Sequence, residues 1–84
     1  SNTFKVGIAP NNPDNIQEIL KEKFDAVPTF FKSINDEKQF KIKIQDTTSV
    51  NDLVSYLTTM GELSHFEEVI PTASDIFIET VQNN

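Results

Sequence analysis

The only histidine in the sequence, His65, stands two positions before Glu67. That spacing puts both side chains on one face of a strand, as two of the ligands a metal would need. A structural zinc site takes four protein ligands and a catalytic one three. The chain has no cysteine to make up the number, so His65 reads as a surface or rim histidine. Glu67 and Glu68 are candidates for an acid/base pair. Adjacent strand residues point to opposite faces, so the two carboxylates do not converge and read as solvated. The serines and threonines have no base to activate them except His65. A phosphate-binding loop or a dinucleotide fingerprint needs clustered glycines, because backbone N–H groups must approach the phosphates closely. Only Gly7 and Gly61 are present, far apart, which excludes both motifs. No catalytic, cofactor-binding or metal-ligating residue is therefore expected in this chain.

Binding residues are better represented. Lys5, Lys41 and Lys43 occupy the polar phases of two alternating runs and would form a basic stripe on the outward face of a sheet. The stripe reads first as solubility and edge protection, and second as a contact for an acidic partner. All seven cations are lysines in a chain of net charge −6. Nucleic-acid binders carry a basic excess and use arginine for bidentate contacts, so no nucleic-acid partner is expected. An anionic membrane surface is disfavoured on the same grounds. No apolar run approaches the roughly 20 residues that span a bilayer, so no membrane insertion is expected, and no signal peptide is visible.

These residues are positioned by a regular succession of elements. Phe4, Val6 and Ile8 alternate with Lys5, Gly7 and Ala9, the period of a half-buried strand. Asn12 as N-cap and Pro13 at the first turn open an amphipathic helix over 13–24, with Ile16, Ile19, Leu20 and Phe24 on one stripe. Val27 to Ile34 reads as a second strand of unclear phase, started or held at an edge by Pro28. Asn35 to Lys38 reads as a polar turn. Phe40, Ile42 and Ile44 mark a third strand, hairpinned to the second. Ser49, followed three residues later by Asp52, resembles a capping box. It opens a helix with Val50, Leu53, Val54 and Leu57 inward, stopped at Gly61. Leu63 to Ile70 is a fourth strand of mixed phase.

The order βαββαβ predicts an α+β fold, a ferredoxin-like two-layer sandwich with strand order 4-1-3-2 and an extra C-terminal helix. The 84 residues form one domain, 1–84, expected to be a C-terminal fragment of a longer protein, with Ser1-Asn2 a remnant of cloning. Pro71 ends the fourth strand and Thr72 caps the last helix, with Asp75 three residues on. Loss of the Thr72 cap is expected to cost ~1 kcal/mol. Ile76, Phe77 and Ile78 are consecutive and cover about 200° of that helix. A helix lying on one sheet face needs an apolar arc of little over ~100°. The surplus is expected either to wedge inside the domain or to meet another molecule.

The run Phe66-Glu67-Glu68-Val69-Ile70-Pro71-Thr72-Ala73-Ser74-Asp75-Ile76-Phe77-Ile78 resembles the end of the C-terminal domain of bacterial ABC-transporter ATP-binding subunits of the drug-efflux, sodium-export and gliding-motility type. Phe66, Glu67, Pro71, Asp75, Ile76 and Phe77 match the family pattern. Thr72 replaces its serine and keeps the capping hydroxyl, while Ala73 and Ser74 depart from it. Phe66, Glu67, Pro71, Thr72 and Asp75 read as structural within that motif. The resemblance implies a non-catalytic accessory module whose parent ATPase domain binds ATP and magnesium at the cytoplasmic face of the inner membrane. Its implied partners are that ATPase domain, the dimer mate or a membrane permease, with a homodimer of this chain as a further expectation. A regulatory module of the small-molecule-binding ACT type shares the element order, with Ala9 to Asn12 as the place to look for its ligand.

Overall fold

The computed structural model describes residues 2–70 and 72. Strand β1 (Thr3–Pro10) is followed by helix α1 (Ile16–Phe24), strands β2 (Val27–Pro28) and β3 (Lys38–Lys43), helix α2 (Val50–Met60) and strand β4 (Gly61–Glu68). The sheet order is β2-β3-β1-β4, and every neighbouring pair is antiparallel. This is the anticipated α+β, ferredoxin-like order. The extra helix expected after Pro71 lies outside the described residues.

The inward phases of the strands and the apolar stripes of both helices meet in one core. Phe4, Val6 and Ile8 of β1, Phe40 and Ile42 of β3 with the adjoining Ile44, Ile16 and Leu20 of α1, and Leu53 and Leu57 of α2 are all buried together. Both helices thus cover the same sheet face. Each of the larger side chains contributes roughly 1.5–3 kcal/mol by leaving water. Phe66 of β4 closes the core's edge by stacking on Phe4, with ring centroids 4.9 Å apart.

Helix α2 begins as anticipated. The Ser49 hydroxyl accepts from the Asp52 backbone N–H at 3.0 Å, satisfying one of the donors that a helix start leaves orphaned. Helix α1 begins three residues later than its first proline suggested. The Asn12 side chain accepts from the Asp14 N–H at 3.1 Å and holds 12–14 in a turn, so Asn15 takes the N-cap position. The helix ends in a left-handed Asp25 at φ 55°, whose N–H donates to the Lys21 carbonyl while the Ala26 N–H donates to that of Leu20. The Asp25 bond is that of an αL ending, here without the usual glycine.

Two strand assignments require correction. The strand foreseen over Val27 to Ile34 pairs with β3 only at Val27 and Pro28. Pro28 has no N–H to give, and one more rung follows, from the Thr29 N–H to the Gln39 carbonyl at 3.1 Å. The Phe31 N–H then turns to the Gln39 side chain, not to a β3 carbonyl, and the chain leaves the sheet. The fourth strand, foreseen over Leu63 to Ile70, runs over Gly61–Glu68, and its mixed phase has a different cause. Ile8 opposes Leu63 but Gly7 opposes His65, so Ser64 is the extra residue of a β-bulge. Leu63 and Phe66, three apart, both reach the inner face because of it.

Candidate functional site

The outer sheet face, opposite the helices, can be followed row by row, because directly opposed residues on neighbouring strands share a face. One row runs Gln39, Gly7, His65 and the next runs Val27, Lys41, Lys5, Glu67. Beyond them Lys43 opposes Thr3.

The first row is roofed by the stretch 29–37, held there by side chains. Gln39 acts as an extra ladder rung: its Oε1 accepts from the Phe31 N–H and its Nε2 donates to the Phe31 carbonyl, both at 3.0 Å. The same Nε2 donates to Glu37 Oε2 at 3.0 Å. Glu37 Oε1 accepts from the Ser64 hydroxyl at 2.8 Å and from that of Ser33 at 3.3 Å. Ser33 Oγ in turn accepts from the Asn35 N–H. The Phe31 ring lies over the His65 imidazole, with centroids 4.5 Å apart. Desolvation pushes the Glu37 carboxyl up, but the hydrogen bonds from Ser64, Gln39, Ser33 and Asn35 together outweigh it and hold the group below its ordinary value. Glu37 was expected only as part of a polar turn; its hydrogen bonds make it the anchor of a strap across the sheet.

The strap explains Gly7. A Cβ at that position would fall onto the Glu37 carboxylate, so the glycine marks a close approach. At Gly61 a Cβ would collide with the Ala9 carbonyl oxygen and lie 2.6 Å from the Pro10 Cα. Its φ of 165° is ordinary extended backbone, so space, and not a left-handed turn, is what the residue provides.

Among the described residues, none roofs the second and third rows. Lys41 and Lys43 are exposed and Lys5 is half-buried, so the foreseen basic stripe does come together, with Lys5 and Lys41 directly opposed. Glu67 lies across from Lys5, and its Oε1 is 3.2 Å from His65 Nε2. His65 and Glu67 therefore share a face as anticipated, but among the described residues no third His, Cys, Asp or Glu joins them as a metal ligand. A carboxylate occupies the space above Gly7 and a carbonyl oxygen the space at Gly61. Phe66 is placed against Phe4. Thr72 is exposed, while Pro71, Asp75, Ile76, Phe77 and Ile78 lie outside the described residues.

Two shallow grooves also mark the surface of the described residues. One of about 390 Å³ lies between the helices, among Lys23, Phe24, Thr47, Thr48, Asp52 and Tyr56. There the Lys23 ammonium stands 4.6 Å from the Tyr56 ring centroid. The other, about 350 Å³, lies beside Ala9, Pro10 and Pro13, against Asp36, Glu37 and Lys38. Sequence reasoning overlooked the Gln39–Glu37–Ser64 strap. The available signal was Gly7, a lone glycine inside an otherwise alternating strand.

Fold and surface together define a small α+β domain whose polar clusters brace its own backbone and whose open face is basic. The chain belongs to the family of ATP-binding protein DrrA1-3-like C-terminal domains, which matches residues 1–81. It is thus a C-terminal domain of the ATP-binding subunits that the Phe66–Ile78 motif resembles. Searches of curated proteins and of solved structures gave no match. Among the described residues no helix is long and apolar enough to cross a membrane.

Proposed function

We propose that this domain is a non-catalytic accessory module that packs against the ATP-binding portion of its parent subunit. There it contributes to dimer or permease contacts and tunes the transport cycle at the cytoplasmic face of the membrane. The observation that carries this reading is the family match over residues 1–81 to the C-terminal domain of an ATP-binding protein. The chemistry of the domain agrees with it. Glu37 is spent on holding a loop, and His65 and Glu67 pair with each other. ATP and magnesium belong, on this reading, to the parent's nucleotide-binding domain. Steady-state ATPase assays on the full-length subunit, on a version lacking these residues and on the isolated domain test it. The isolated domain should show no turnover, and the truncated subunit should still bind ATP but with altered dimerisation or rate. Hydrolysis by the domain alone, or truncation with no effect on either property, would sink the proposal.

A second reading, as a small-molecule-binding regulatory module, is favoured by one feature. The groove at Ala9, Pro10 and Pro13 lies where the ACT-type comparison pointed. Calorimetric titration with amino acids would show saturable heat if it is right.

A further inference from the structure

Three of the seven lysines of a chain with net charge −6 converge on the open half of the outer face. Lys41 directly opposes Lys5, an arrangement in which like charges repel. Lys43 lies two positions along β3, on the same face. None of the three makes an ion pair among the described residues; the carboxylate at the end of their row, Glu67, is engaged by His65. The strap over Gly7 and His65 walls one side of this patch, and the half-exposed Val27 opposes Lys41 at its β2 end.

We propose that this face, formed by Lys5, Lys41, Lys43 and Val27, is a docking surface for a carboxylate-bearing protein segment. The biological sense of the proposal rests on the accessory reading above, since the parent ATP-binding subunit is where such a segment would be found. The charge distribution selects the kind of partner. A short acidic segment lying on the patch feels chiefly these lysines, because charges beyond about 10 Å are screened at moderate salt. A nucleic acid or an anionic bilayer extends further and meets the acidic remainder of the domain. Its phosphates would also find no arginine here for bidentate contacts, and the open rows contain no aromatic on which a base could stack. Val27 supplies an apolar contact that a protein segment can use.

The test is a titration of the ¹⁵N-labelled chain with an acetylated (Glu-Leu)₄ peptide, followed by amide chemical shifts. Shifts should cluster at Val27, Lys41, Lys43 and Lys5. The apparent affinity should fall about tenfold or more in 0.5 M NaCl and in K41E/K43E, with the milder K41Q/K43Q between wild type and the reversal. Both lysines are exposed and Lys41 opposes Lys5, so the variants should fold with a melting temperature no lower than that of the wild type. Lys21→Glu, on α1, should bind as the wild type does. The proposal is overturned if the acidic peptide produces no shifts at this face, if K41E/K43E binds normally, or if a (Lys-Leu)₄ peptide gives the same shifts. It is equally overturned if phosphatidylserine vesicles or a single-stranded oligonucleotide bind these lysines more tightly than the peptide. Any of these failures leaves the accessory role itself standing, because that role is read by the ATPase and dimerisation of the full subunit.

Discussion

Asp25 is a residue in a conformation that suits another. At φ 55° it ends α1 in the left-handed region, where a Cβ crowds the following carbonyl. It also places a carboxylate at the negative end of the helix dipole. Asp25→Gly relieves both, at the expense of greater freedom in the unfolded chain, and should stabilise the domain by about 0.5–1 kcal/mol in urea denaturation. The two glycines make the opposite case. Gly61→Ala drives a Cβ into the backbone of Ala9 and Pro10, which can yield only by parting β1 from β4. Gly7→Ala meets a flexible side-chain end, and its cost is the loss of the Glu37 hydrogen bonds. Gly61→Ala should therefore be the more destabilising, and Gly7→Ala should lose most of its effect in a Glu37→Ala background. A double-mutant cycle by chemical denaturation reads that coupling.

At the scale of elements, the strap 29–37 hangs from two side chains. Gln39→Ala removes three hydrogen bonds at half-buried positions and should cost roughly 1–3 kcal/mol, with faster hydrogen exchange at the Phe31 amide. Glu37 makes the strap sensitive to acid. Its folded value lies below its unfolded one, about 4.5, so the folded state favours the carboxylate. The stability it contributes is fully present above the unfolded value and is lost as pH falls through the folded one. Glu37→Gln should flatten that part of the stability–pH curve without changing its high-pH plateau in slope.

These elements also show where sequence pattern is sufficient and where it fails. Strands β1 and β3 and helix α2 were legible because each buries one face, and burial writes period two or 3.6 directly into the residues. The Ser49 cap was legible because capping is local. β2 was not, because the adjacent Phe30 and Phe31 separate in space: Phe31 lies on His65, while Phe30 is 85% exposed. The bulge at Ser64 and the Gln39 rung depend on residues far apart in the chain, which no window of sequence brings together. On the candidate face, the lysine stripe followed from strand phase alone. The wall beside it did not, since Glu37 reads as a turn residue until the sheet brings Ser64 to it.

For the whole molecule, the order β2-β3-β1-β4 leaves two edges to manage. β2 is cut to two residues and contains a proline, which limits pairing on that side. β4 is eight residues long, and no strand lies beyond it among the described residues. A flat strand of that length invites another chain to pair with it. Two features oppose this: the bulge at Ser64, which twists the strand, and the exposed Glu62 and Glu67, which would face like charges in an antiparallel pairing with a second copy. The shortness of β2 and the bulge and charges of β4 thus guard both edges against strand pairing. Replacing both glutamates, as Glu62→Thr with Glu67→Thr, lowers the repulsion and raises strand propensity while leaving the Leu63 and Phe66 packing in place. That variant should self-associate in static light scattering at concentrations where Glu62→Asp with Glu67→Asp behaves as the unmodified chain does. If the threonine variant scatters no more than the unmodified chain, charge is not what guards β4, and the bulge alone suffices.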